Sequence, residues 1–190
     1  RNQSDWRSAA TQNEFAGFDY ADCAQEFVRR SPDYRRDYEL TRQCVAAGGL
    51  DERHEWEVLA RRWGMIFPIA PDVTAKDAPV LWEPVLSPTT IILDAAPPDF
   101  AEPGEIDVGA LGTIVADHEA ADGRHMVITA AAGTYRLWLR DPRPGVSLAV
   151  TIPVDRVFGL RIAAITRFEQ GLRGLACGRP PRDYLPTAFQ

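Results

Sequence analysis

The sequence predicts an α+β protein: an N-terminal helical bundle, a proline-rich wrap, and a small antiparallel β-meander followed by a long helix. Three observations carry that expectation. Apolar and aromatic residues recur at helical spacing through the first third. Eight of the fifteen prolines fall between Pro68 and Pro103, a density that forbids a long helix. Apolar residues then alternate along short runs from His125 to Ile152, before helical spacing resumes. With 190 residues and 45% hydrophobic content the chain can build a real core. The expected divisions are a helical domain over 1–64, a proline-rich connecting segment over 65–105, and the meander plus helix over 106–190.

The helical third is legible from its punctuation. Asp22 is the expected cap of a first helix, which presents Cys23 with Phe27 and Ala24 with Val28 at i, i+4 spacing. Ser31-Pro32 ends it and starts the next. Ser31 suits an N-cap, Pro32 suits the first helical position, and Asp33 complements the positive helix end. Tyr34, Tyr38, Thr41 and Val45 follow on one face, and Gly48-Gly49 closes the helix. Asp51 caps a third helix, in which Trp56, Leu59, Ala60 and Trp63 fall at i, i+3, i+4, i+7 before Gly64 stops it. These tryptophans are expected in the core.

The middle segment carries too many large apolar residues for a free linker. Val80-Leu81-Trp82 and Thr90 to Leu93 are candidate edge strands, and the rest is expected to wrap over a neighbour in extended form. His125 to Thr129 and Thr134 to Leu139 flank Ala131-Ala132-Gly133 as a hairpin. In its second strand Tyr135, Leu137 and Leu139 face one way and Arg136, Trp138 and Arg140 the other. Asp141 to Gly145 reads as a turn, and Leu148, Val150 and Ile152 alternate in a third strand. A helix from about Arg156 to Leu172 follows, with Leu160, Ala164, Ile165, Phe168 and Leu172 on its apolar side and Gly174 at its end. Leu185 to Gln190 resembles the opening of another helix, so the sequence is expected to be a fragment, or the ordered part, of a longer protein.

Charge is unevenly spread. The formal net charge is −6; residues 64–123 carry 11 acidic groups against the single Lys76, whereas residues 124–190 carry 10 arginines against 4 acidic groups. A polyanion would therefore meet the C-terminal end. No apolar run approaches the ~20 residues of a membrane span, and the N-terminal residues lack the apolar core of a signal peptide. Three cysteines, Cys23, Cys44 and Cys177, form neither a metal spacing nor an even disulfide set, which fits a reducing, cytoplasmic setting.

Catalytic signatures are weak. Asp117-His118-Glu119, Asp122 and His125 make the densest group of potential metal ligands, but a charged surface turn explains them as well. Gly109 to Gly112 is too short for a dinucleotide fingerprint, and no nucleophile elbow or phosphate loop occurs. Cys23 and Cys44 read as buried structural cysteines, and His54 as a solvated residue in a first helical turn. The reading is a protein that is not an enzyme and takes no cofactor.

A resemblance sharpens the functional expectation. Asp5-Trp6-Arg7, the run from Glu26 to Tyr38, and Arg62-Trp63-Gly64 resemble a small N-terminal domain of proteobacterial regulators. Gly123-Arg124-His125, Tyr135 to Arg140, Ile152 to Asp155 and the helix through Arg167-Phe168 resemble the start of the domain that follows it. Members include activators of excision and transfer in integrative and conjugative elements, related antiactivators, and a hexameric activator of type VI secretion genes. The resemblance implies a DNA-binding transcriptional activator that forms homo-oligomers, a hexamer among them, binds promoter DNA and meets RNA polymerase. In that family the second domain continues into a basic, helix-turn-helix-like region, before which this sequence ends. A protein-interaction module or antiactivator without direct DNA readout is the alternative. Arg173, Arg179 and Arg182 are the candidate DNA contacts, their bland reading being solvation. Trp6, Trp82 and Trp138 are candidate subunit contacts, their bland reading being core.

Overall fold

The computed structural model describes residues 15–48, 51–100, 107–141 and 147–176. Three helices come first: α1 (Tyr20–Arg30), α2 (Pro32–Ala46) and α3 (Glu52–Arg62). The strands are β1 (Thr90–Ala95), β2 (Thr113–Ala120), β3 (Gly123–Ala130), β4 (Gly133–Leu139) and β5 (Leu148–Thr151), and α4 (Phe158–Ala176) follows them. The class is α+β, as the sequence predicts. Trp6, Gly49, most of the turn 141–145, Cys177, Arg179, Arg182 and the helix opening expected over 185–190 lie outside the described residues.

Helix boundaries follow cap chemistry. Asp19, not Asp22, caps α1. Its carboxylate accepts the Asp22 amide at 2.8 Å while the Asp22 carboxylate accepts the Asp19 amide at 3.1 Å, a reciprocal capping box. Ser31 holds the N-cap position of α2, but its hydroxyl makes no cap bond. Asp51 caps α3 through the Arg53 amide at 3.1 Å, and Gly64 reverses the chain after it at φ +71°. The C-terminal helix runs past Gly174 to Ala176, since nothing at that glycine demands a left-handed turn.

The buried face of α1 only partly matches the expected apolar stripe, of which Val28 packs against the bundle core. Phe27 is 80% exposed, whereas Ala21, Asp22, Gln25 and Glu26 are buried. The reason lies in the proline-rich segment. Without a ladder, its backbone groups need partners from elsewhere. Gln25 donates to the Ala78 carbonyl at 2.9 Å and accepts from the Val80 amide at 2.8 Å. Glu26 accepts the Ala75 amide at 3.1 Å. Tyr34 is fully buried among Ala60, Met65 and Val80 and donates to the Ile69 carbonyl at 2.5 Å. The wrap is thus held by side chains of the bundle.

The sheet order is β2-β3-β4-β1-β5. Strands β2, β3 and β4 are a meander of antiparallel hairpins, but β1 pairs parallel to β4, and β5 pairs with β1 rather than with β4. Two expectations are corrected here. Thr90–Leu93 is an interior strand, because β4 and β5 occupy its two sides. Asp117–Glu119 belongs to strand β2, not to a turn; the turn is at Ala121-Asp122. Val80-Leu81-Trp82 contributes only a single bridge, Met65 to Trp82.

One face of the sheet builds the main core. Ile91, Met126, Ile128, Tyr135, Leu137 and Leu139 pack against Ala164 and Phe168 of α4 and against the 3-10 turn Val108–Leu111. Gly171 allows the close approach: a Cβ there would lie 2.6 Å from the Tyr135 hydroxyl. The opposite face meets the bundle through Arg136 on β4. Its guanidinium, 4% exposed, bonds Asp19, Asp22 and the Val80 carbonyl at once.

Candidate functional site

A groove of about 920 Å³ lies between α3, the chain just after it, and the β2–β3 hairpin. Local bonding sets its walls. After Gly64 the chain doubles back, and the Glu83 amide donates to the Gly64 carbonyl at 2.9 Å while the Ile66 amide donates to the Leu81 carbonyl at 2.8 Å. This pins the Glu83 backbone opposite Gly64, and Glu83 and Phe67 both line the groove. On the hairpin, buried His125 stacks on Trp138 with centroids 5.6 Å apart and planes 11° apart. His125 Nε2 is 3.0 Å from Asp122 Oδ1, and the Trp138 indole donates to the Asp122 carbonyl at 3.1 Å. The turn residue Asp122 is therefore fixed at the groove's rim. His118 meets the exposed ring of Phe67 at 5.5 Å.

Six carboxylates line the groove: Asp51, Glu52, Glu57, Glu83, Glu119 and Asp122, against Arg53 and Arg61. Arg53 is already bound to Glu57 at 2.8 Å. Asp51 and Glu52 also favour the positive end of α3, so part of this charge has a structural task. Glu83 and Glu119 come from other elements, and the Glu119 charge also acts on Arg124 across the hairpin.

Arginines across the described body are largely neutralised. Arg29 and Arg30 bind Glu26; Arg36 and Arg62 bind Asp37; Arg42 binds Glu39. Arg124 forms a bidentate pair with Asp117 at 2.8 and 2.6 Å, and these bonds hold the Asp117 carboxyl below its ordinary range. Arg140 does the same to Asp94, and Arg161, bonding one oxygen of Asp155, also lowers that carboxyl. Of the fifteen described arginines, eleven sit in ion pairs with carboxylates, which leaves few cations free for a polyanion on this surface.

The residues expected to act are dispersed. Arg173 lies near the exposed end of α4 and pairs with Glu169. Arg179, Arg182 and Trp6 are outside the described residues. Trp82 is half-buried against the bundle core, and its indole donates to the Ala21 carbonyl at 3.1 Å. Trp138 is committed to His125 and Asp122, with the Arg140 guanidinium 5.5 Å from its ring centroid. Asp117, His118, Glu119, Asp122 and His125 do not converge on one point: Asp117 faces Arg124, His118 faces Phe67, and Asp122 bonds His125. No group of three potential metal ligands occurs among the described residues. Cys44 is exposed, contrary to expectation, and Cys23 is half-buried. Burial, then the carboxylates of Asp22, Asp19 and Glu26, push the Cys23 thiol pKa up, away from reactivity.

Two family models match the chain. Residues 5–68 match a proteobacterial transcriptional regulator-like domain. Transcription regulation is the role this match supports. Residues 89–150, from just before β1 through most of β5, match a domain of unknown function, DUF7012. No curated protein matches the chain. Among the described residues no helix is long and apolar enough to cross a membrane.

Sequence reasoning did not single out Phe67, Glu83, His118 and Glu119 as one surface. The available signal was the acid concentration in residues 64–123. It gave the charge but not the groove, because the groove forms only when a helix, a loop and a hairpin are brought together.

Proposed function

We propose that the chain is part of a transcription regulator that works by binding rather than catalysis, with two separate surfaces. The described body docks protein, and contact with promoter DNA is left to the C-terminal arginines Arg173, Arg179 and Arg182. The observation that carries this reading is the pairing of ten described arginines besides Arg173 with carboxylates, beside a groove lined by six acids. DNA affinity comes mainly from unpaired cations that displace counterions from phosphates, and an acid-lined body repels phosphates. The regulator-like match over residues 5–68 supports the regulatory setting. The exposed pair of Arg173 with Glu169 is weak enough to exchange for a phosphate.

The test is fluorescence anisotropy of the full 190-residue chain on a random-sequence duplex, titrated across salt concentrations. Replacing Arg173, Arg179 and Arg182 with alanine is expected to flatten the log–log salt slope by ~0.9 for each phosphate no longer neutralised. Replacing Arg124 and Arg42 with glutamine is expected to leave the slope unchanged. The reverse pattern would place DNA on the body and sink this reading.

A further inference from the structure

We infer that the groove beside α3 is the docking site for an arginine- or lysine-bearing segment of a partner protein. This rests on the reading of the body as a protein-docking scaffold and names the chemistry of the partner. At about 920 Å³ the groove lies toward the top of the ~300–1,000 Å³ range of small-molecule pockets, with room for several side chains. Its charge is one-sided. Its six acids stand along it from a helix, a loop and a hairpin, while one of its two arginines is spent on Glu57.

The aromatic lining fits the same guest. Phe67 is 54% exposed although its ring touches His118, so an apolar face stands open inside an acidic surround. A guanidinium satisfies both features together: its edge bonds carboxylates in a planar fork and its face lies on an aromatic ring. An acidic or purely apolar segment would satisfy only one of them, or neither. The rim is also held in place beforehand. Asp122 is fixed by His125 and Trp138, and Glu83 by the turn through Gly64, so little ordering is needed on binding. Among the described residues strand β2 is an edge of the sheet, with β3 alone as its strand neighbour.

The test uses the full chain and a labelled peptide alternating arginine and valine, read by anisotropy. A glutamate–valine peptide is the charge control and unlabelled spermidine the competitor. The arginine peptide is expected to bind with an affinity that falls as salt rises, and the acidic peptide not to bind. The double variant Glu83→Gln/Glu119→Gln is expected to weaken binding about tenfold, and Phe67→Ala to weaken it separately. Thermal melts of both variants, expected to match the parent, confirm that the fold is intact. Unaltered affinity in the double variant, no binding of the arginine peptide, or equal binding of the acidic one overturns the inference. Equally tight occupancy by spermidine would also overturn it, in favour of a small polycation. The DNA salt slope is a separate readout, so this proposal can fail while the division between body and tail stands.

Discussion

Replacing Arg136 with methionine is expected to be among the most damaging single changes in the described body. Its guanidinium makes four hydrogen bonds: to Asp19 at 2.8 and 3.1 Å, to Asp22 at 2.5 Å and to the Val80 carbonyl at 3.0 Å. All three charged side chains are shielded, at 4%, 17% and 10% exposure. Methionine fills much of the volume but strands two carboxylates without a cation. Breaking a buried pair by removing one partner costs about 3–5 kcal/mol, against a typical total stability of ~5–15 kcal/mol. With a urea dependence of ~2 kcal/mol/M, the midpoint should fall by roughly 2 M near neutral pH.

The same node predicts a pH signature. In the parent, burial works against the Asp19 carboxylate, but the bonds and charge of Arg136 and the Asp22 amide outweigh it and hold the pKa low. Asp19 therefore stabilises the fold above the ordinary carboxyl range, and that contribution is lost as pH falls through its lowered value. For Asp22 burial wins, and the neighbouring Asp19 charge adds to it, so its pKa is raised. Without Arg136 burial is opposed chiefly by the bonds of the capping box, and both pKa values rise. Stability in the variant is then lost as pH rises through those raised values, so the penalty should shrink between about pH 7.5 and pH 5. The triple variant Arg136→Met/Asp19→Asn/Asp22→Asn should recover much of the loss, since it leaves no unpaired charge and asparagine still caps α1. Urea unfolding followed by circular dichroism at both pH values decides the matter. A loss under ~1 kcal/mol, or one equal at the two pH values, would refute the reasoning.

Two further outcomes follow from close geometry. Gly123→Ala places a Cβ 2.2 Å from the Leu139 carbonyl oxygen at φ +127°, so it should destabilise by about 2 kcal/mol or more, visible as a lower melting temperature. Tyr34→Phe leaves the Ile69 carbonyl without its 2.5 Å donor and should cost about 1 kcal/mol in urea unfolding. In the parent, burial pushes the Tyr34 phenol up to about 12. Its contribution is present below the ordinary tyrosine value of ~10 and lost as pH rises toward 12, so the alkaline limb of stability should flatten in the variant.

Much of the fold was legible because its signals are local. The Ser31-Pro32 break, the Asp51 cap and the Gly64 stop are read from neighbouring residues, and each stands where expected. The alternation of Tyr135, Leu137 and Leu139 gave the core face of β4 correctly. Local pattern misled where a distant partner decided. The stripe of Cys23 and Phe27 suggested the buried face of α1, yet Gln25 and Glu26 are buried because the wrap needs their polar atoms. Thr90–Leu93 looked like an edge because prolines surround it, but its place beside β4 depends on a long-range parallel pairing. The candidate site was legible only as an excess of acid between residues 64 and 123.

By itself, then, the sequence determined where helices start and stop, which runs alternate, and how charge divides between the middle and the end of the chain. Each of these follows from a residue's own backbone preference, hydrophobicity or ionisation. Only the tertiary structure decided the β2-β3-β4-β1-β5 order, the burial of a charged node at Arg136, and the meeting of Glu83, Glu119 and Phe67 across one groove. Those outcomes depend on which distant groups satisfy one another's bonds and charges, and residues so far apart in the chain come together only when it closes on itself.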